Sequence, residues 1–144
     1  MEKECILKRP DVVSILIGCN DVGVMMNTGK SLEEQQFEAC YEAIVKEITE
    51  QSDAKLICMS PFIVPYPRMY ENWIPGIKQT ERIEKKIAEK YHADFLALQD
   101  MIILKAEKVG YESVTTDGIH LTEYGNEIIA GAWMQLFEKI KDGD

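Results

Sequence analysis

The 144-residue chain is short of positive charge, has two histidines and contains no long apolar run, and each shortage excludes something. Sixteen Lys and Arg stand against 25 Asp and Glu, a formal charge of −9. Phosphate backbones are held by clustered Lys and Arg, so nucleic acid is excluded as a partner. The one basic cluster, Arg82, Lys85, Lys86 and Lys90, is interrupted by Glu81, Glu84 and Glu89 and reads as a solvated helix face. No apolar stretch approaches the roughly 18–20 residues of a membrane span, and none follows Met1-Glu2-Lys3-Glu4-Cys5 to make a signal peptide. The four cysteines, Cys5, Cys19, Cys40 and Cys58, form no CxxC pair and no zinc-like spacing with the histidines. They read as free, buried thiols of a protein kept in the reducing cytoplasm. Repeats and low-complexity tracts are lacking too. What is present, 46% hydrophobic and 28% charged residues, suits one globular domain over residues 1–144.

Hydrophobic patterning alternates between strand and helix. Val12-Val13-Ser14-Ile15-Leu16-Ile17 is a β-branched run between Pro10-Asp11 and Gly18, as in a strand covered on both faces of a parallel sheet. Ser31 and Glu34 form a capping-box pattern. Behind them Phe37, Cys40, Tyr41, Ile44, Val45 and Ile48 recur at helical spacing as far as Gln51. Leu56-Ile57-Cys58-Met59 reads as a second strand. Residues 60–76 hold Pro61, Pro65, Pro67 and Pro75, which excludes a regular element there, and also carry Phe62, Tyr66, Tyr70 and Trp73. A helix over 77–91, a third strand over 93–98 and a short helix over 101–109 follow. Thr122 then caps a final helix with the stripe Ile128, Ile129, Ala132, Trp133, Leu136, Phe137 and Ile140. This alternation predicts an α/β fold with a parallel sheet, whose ligand sites gather at the carboxyl ends of the strands.

The candidate chemistry lies at those ends. In Thr116-Asp117-Gly118-Ile119-His120 a tight turn can bring the Asp117 carboxylate to imidazole Nδ1, fixing the tautomer that leaves Nε2 free to accept a proton. Gly118 lets the backbone bend between them. Asn20, at the end of the first strand in Gly18-Cys19-Asn20-Asp21, can donate a side-chain N–H to a developing oxyanion. Asp21 reads as a residue that caps or pins the loop after it. Ser60 is at a strand end but is followed by Pro61, and Ser14 and Ser113 read as structural. A metal site built from Asp21, Asp117 and His120 is a distant alternative, since it offers few ligands.

Pro10-Asp11-Val12-Val13 leading to Gly18-Cys19-Asn20-Asp21, and Thr116-Asp117-Gly118-Ile119-His120-Leu121-Thr122 with Gly125, resemble two blocks of the SGNH superfamily of GDSL-type esterases, lipases and acylhydrolases. Leu121 departs from the proline common at its position. The resemblance extends over essentially the whole chain. It implies a three-layer α/β/α, flavodoxin-like fold and a serine ester hydrolase with no cofactor and no metal. Asp117 and His120 would then be catalytic, and Asn20 an oxyanion-hole donor. Phe62, Tyr66, Tyr70 and Trp73 would border the substrate, an acyl ester or an acetylated sugar, through apolar and stacking contacts. The family's Gly-Asp-Ser segment, which carries the nucleophile, has no counterpart in the 144 residues.

The resemblance therefore implies an N-terminally incomplete domain that keeps strands three, four and five of the order 2-1-3-4-5. Glu2 to Lys8 would be the tail of the helix leading into the third. The strand over residues 12–17 would then be an apolar edge, short of a covering helix and ready to pair. Such an edge leads to the expectation of a homodimer through that strand or by exchanged elements. The alternative to a hydrolase is a non-catalytic remnant that keeps the fold.

Overall fold

Residues 4–143 are described by a computed structural model in which three parallel strands form one sheet. Their order follows the chain: β1 (Val12–Leu16), β2 (Lys55–Met59) and β3 (Asp94–Leu96). β1 and β2 pair from Val12 opposite Lys55 to Leu16 opposite Met59. The helices are α1 (Cys19–Thr28), α2 (Phe37–Gln51), α3 (Ile74–Lys90), α4 (Gln99–Val109), a single turn α5 (Tyr111–Val114) and α6 (Glu123–Gly143).

Strand alternation divides the core into two layers. Leu56 and Cys58 point to one face of β2, where Ile15 of β1 and Tyr41, Val45 and Ile48 of α2 meet Ile87 and Ala88 of α3. Ile57 and Met59 point to the other, against Leu98 and the α6 residues Ile129, Trp133, Leu136 and Ile140. β2 is thus apolar on both faces because both are covered. Burying each such aliphatic side chain contributes about 1.5–3 kcal/mol. The layering is the three-layer α/β/α arrangement expected, and none of the helices among the described residues is long and apolar enough to cross a membrane.

Several local expectations need correction. The strand over 12–17 ends at Leu16, and no loop follows it: α1 begins at Cys19, directly after Gly18 turns the chain at φ +124°. Val22 and Gly23 are the buried residues of this helix, too few for a visible apolar stripe among Asn20, Asn27 and Thr28. Asp21 sits in its first turn, favourably for the helix dipole. Half of the Ser31–Glu34 box forms, with the Glu34 N–H donating to Ser31 Oγ at 3.0 Å, and it closes a turn. α2 starts only at Phe37, after Gln36 adopts a left-handed conformation. Arg68–Trp73 makes a short 3₁₀ turn inside the proline-rich segment, and α3 starts at Ile74, with Pro75 in its first turn, where a missing N–H costs nothing. The third strand spans only Asp94–Leu96 because α4 opens at Gln99.

Four further readings change with burial. Cys58 alone is a fully buried thiol, Cys5 and Cys19 are half-buried, and Cys40 is exposed; all four are free. Glu84 is no part of a solvated face: it is fully buried on the inner side of α3, among acids and bases that otherwise reach solvent. Ile6–Lys8 form a 3₁₀ turn in place of the tail of a long helix, and the part of that expectation falling on residues 1–3 lies outside the described residues. Lastly, β1, read as covered on both faces, is only half covered. Ile15 is buried on the α2 side, while Ser14 and Leu16 on the α6 side stay exposed, as expected of a strand short of a covering helix. Val13 and Ile15 pack toward α2, Val12 packs beneath α6, and Trp133 Nε1 donates to Ser14 Oγ at 2.7 Å. Among the described residues the outer edge of β1 has no strand partner, and Leu16 at its end and Ile17 just beyond it are 44% and 39% exposed.

Candidate active site

Between α5 and α6 the chain folds back on itself. Thr115 and Leu121 form an antiparallel bridge, and the Thr115 hydroxyl donates to the His120 carbonyl at 2.7 Å while accepting the Gly118 N–H at 2.7 Å. Inside this loop Asp117 is used twice. Its Oδ1 accepts the backbone N–H groups of His120 (2.7 Å) and Ile119 (3.0 Å), and its Oδ2 lies 2.8 Å from His120 Nδ1. The backbone N–H of His120 first, then its ring, hold the Asp117 carboxyl down at about 2. Asp117 is therefore ionised at any working pH, and whatever stability it adds is present above the ordinary carboxylate range and goes as pH falls toward 2. An ionised Asp117 makes Nδ1 the protonated nitrogen, so Nε2 carries the free lone pair. That ring is 77% exposed.

The loop is propped from beneath by the proline-rich segment. Gly118 is buried at φ +96°; a Cβ there would lie 2.5 Å from the Tyr70 ring and 2.8 Å from the Val64 carbonyl. The Gly118 carbonyl accepts the Val64 N–H at 2.9 Å. Tyr70 in turn meets Trp73 edge-on, centroids 4.8 Å apart at 79°. Glycine at 118 is thus needed both for its backbone angle and for the ring above it.

Asn20, exposed in the first turn of α1, lines an open groove of about 400 Å³ with Cys19, Gly23, Val24, Trp73 and Ile119. Ile119 immediately precedes His120, so the imidazole loop and the Asn20 amide border one groove. A smaller pocket of about 140 Å³ adjoins it, formed by Leu16, Ile17, Cys19, Pro61, Phe62 and Ile119. Of the four aromatic candidates, Trp73 and Phe62 line these two spaces and Tyr70 supports the loop. Tyr66 is 45% exposed and lines neither. Cys19 and Ile119, shared by both spaces, were not singled out in the sequence; an apolar residue wedged between Gly118 and His120 in a polar loop was the available signal.

None of the three serines weighed in the sequence faces the imidazole as a hydrogen-bond partner. Buried Ser60 accepts the Leu98 N–H at 2.8 Å, Ser14 accepts Trp133 and Ser113 donates to the Val109 carbonyl at 3.0 Å. Among the described residues no group of three His, Cys, Asp or Glu side chains is placed to hold a metal ion.

With this geometry in hand, comparison with known proteins defines the class. The model of the GDSL-like lipase/acylhydrolase family matches residues 4–128, and the chain belongs to that family. Solved structures of similar fold include the acetylxylan esterase Axe2 of Geobacillus stearothermophilus, at 26% identity and a TM-score of 0.74 over 93% of this chain and 62% of that one. A Parabacteroides merdae protein described as a GDSL-like lipase matches at 24% identity, a TM-score of 0.82, and 93% and 63% coverage. LAE5, an α/β hydrolase from the metagenome of Lake Arreo in Spain, matches at 18%, 0.79, and 93% and 62%. The last two show the fold alone, which is that of the SGNH hydrolases. The chain spans slightly under two thirds of the length of these neighbours. No curated protein matches it.

Proposed function

We propose that this chain contributes the proton-handling and oxyanion-binding part of a GDSL-type serine ester hydrolase. A serine hydroxyl supplied from outside the described residues attacks the ester carbonyl carbon as His120 Nε2 takes its proton. Asn20 donates its side-chain N–H to the oxygen that becomes negative. His120 then returns the proton to the leaving alcohol, and water repeats the sequence on the acyl-enzyme. Asp117 stays ionised throughout and balances the imidazolium. The observation that carries this reading is the 2.8 Å contact between Asp117 Oδ2 and His120 Nδ1, on a loop whose Ile119 shares a groove with Asn20.

The substrate we assign is a small acyl ester or acetylated sugar. The acetylxylan esterase at 26% identity supports the sugar, and Phe62 and Trp73 supply apolar and stacking surface beside the groove. The four free thiols favour a reducing, cytoplasmic setting. A second reading, a remnant without turnover, is favoured by the hydrogen bonds that engage Ser14, Ser60 and Ser113 elsewhere.

Because the serine lies outside the 144 residues, the assay is p-nitrophenyl acetate hydrolysis by the chain supplied with a Gly-Asp-Ser segment that completes the sheet, with and without His120→Ala. Turnover that falls by about 10³-fold or more in the variant supports the assigned roles. Turnover indifferent to His120 overturns them, and background rates in both favour the remnant. The unpaired edge of β1, exposing Leu16 and Ile17, leads us to propose a homodimer joined there. Sedimentation at micromolar concentration is expected to give twice the chain mass; a clean monomer rejects the dimer.

A further inference from the structure

The carboxyl of Glu84 is buried without a hydrogen-bond partner at either oxygen, directly behind the turn that presents Asn20. Gly18 forms that turn at φ +124°, ending β1 and starting α1 without a side-chain cap. A Cβ on Gly18 would lie 3.0 Å from Glu84 Oε2 and 3.0 Å from Pro61 Cγ. The acid on α3 and the proline leaving β2 therefore both pack against the side of Gly18 where a side chain would stand. The groups that act on the carboxyl are Tyr41 from α2, whose hydroxyl favours the charged form, and Asp21 from α1 and Glu81 from α3 itself, which disfavour it. Cys58 of β2 feels the same carboxyl. There is no cation among them. A carboxylate in that setting would be desolvated and face two further acids, so the neutral form is the one that fits.

We infer that Glu84 is a positioning residue: as a neutral acid it fills the space behind Gly18 and holds the strand-to-helix turn in the geometry that aims Asn20 into the groove. On ionisation the carboxylate has to draw in water or swing toward solvent. Either movement removes the support behind Gly18, two residues from Asn20. The inference uses the proposed oxyanion role of Asn20 for its consequence in catalysis, while the coupling of Glu84 to the turn stands apart from that role.

Carbon-detected NMR of the ¹³C-labelled 144-residue chain between pH 6 and 10.5 tests the coupling. The Glu84 Cδ, Gly18 Cα and Asn20 Cγ signals are expected to shift with one common midpoint near pH 9, the value to which burial pushes Glu84. In Glu84→Gln the Gly18 and Asn20 signals should stay flat across the range. Glu84→Met, which keeps the volume and drops the polar atoms, should also give flat signals with an unchanged far-UV circular dichroism spectrum. Gly18 and Asn20 carbons that stay still while Glu84 titrates, or that shift equally in the variants, overturn the inference. Ester hydrolysis unaffected by Asn20→Ala would remove the oxyanion role and leave the common titration in place.

Discussion

Wild-type protein is expected to lose stability steadily from pH 5 to pH 9, and Glu84→Gln to abolish most of that loss. Burial lifts the Glu84 carboxyl from an ordinary 4.5 to about 9. Between those values the folded chain keeps a proton that the unfolded chain has released. A raised carboxyl of this kind contributes its full stability below the unfolded value and loses it as pH rises toward the folded one. The slope is about 1.4 kcal/mol per pH unit, so unfolding free energies at pH 6 and pH 8 should differ by about 2–3 kcal/mol. Glutamine carries no such proton. Its variant should match the wild type near pH 5 and exceed it at pH 8 in urea unfolding. Parallel pH dependences in the two proteins would mean that Glu84 is solvated after all.

Gly118→Ala is expected to cost about 2–4 kcal/mol and to separate His120 from Asp117. Part of this is the backbone: a left-handed conformation costs an L-residue about 1–2 kcal/mol. The rest is overpacking, since the added methyl meets the Tyr70 ring at 2.5 Å and the Val64 carbonyl at 2.8 Å. Backbone oxygen cannot give way as a side-chain tip can, so the loop must lift off the proline-rich segment. Urea midpoints measure the cost. Loss of the downfield imidazole Nδ1–H proton resonance reports the broken contact with Asp117. A variant with wild-type stability and that resonance intact would show that the loop accommodates the methyl elsewhere.

The parts of the fold most legible in the sequence were those where one local signal has one physical meaning. The Leu56–Met59 run was readable because a buried parallel strand has no polar face to keep. β1 was readable from its β-branched residues, although Ser14 and Leu16 remain exposed. The Asp117–His120 contact was readable because three residues and a glycine leave few ways for the two side chains to miss each other. α1 was not readable: only Val22 and Gly23 are buried, and the apolar Val24 and Met26 beside them face solvent, which blurs any stripe. Glu84 was misread for a related reason. On a helix as charged as α3 the sequence shows alternating signs, and only the packing of α2 and β2 against it decides which acid turns inward. The Ser31 and Glu34 pattern gave the wrong helix start, because half of a capping box, the Glu34 N–H on Ser31 Oγ, closes an isolated turn equally well, and the Glu34 carboxylate takes the Ser31 hydroxyl instead of its backbone N–H.

The placement of the two tryptophans gives the molecule a pair of independent optical reporters. Trp73 is enclosed beside the Asn20 groove, and Trp133 is tied to the outermost strand through Ser14. Emission from the first responds to what enters the groove, and emission from the second to what docks along the sheet margin. Replacing either indole by phenylalanine isolates the other, so a ligand and a neighbouring polypeptide can be told apart by colour in a single cuvette.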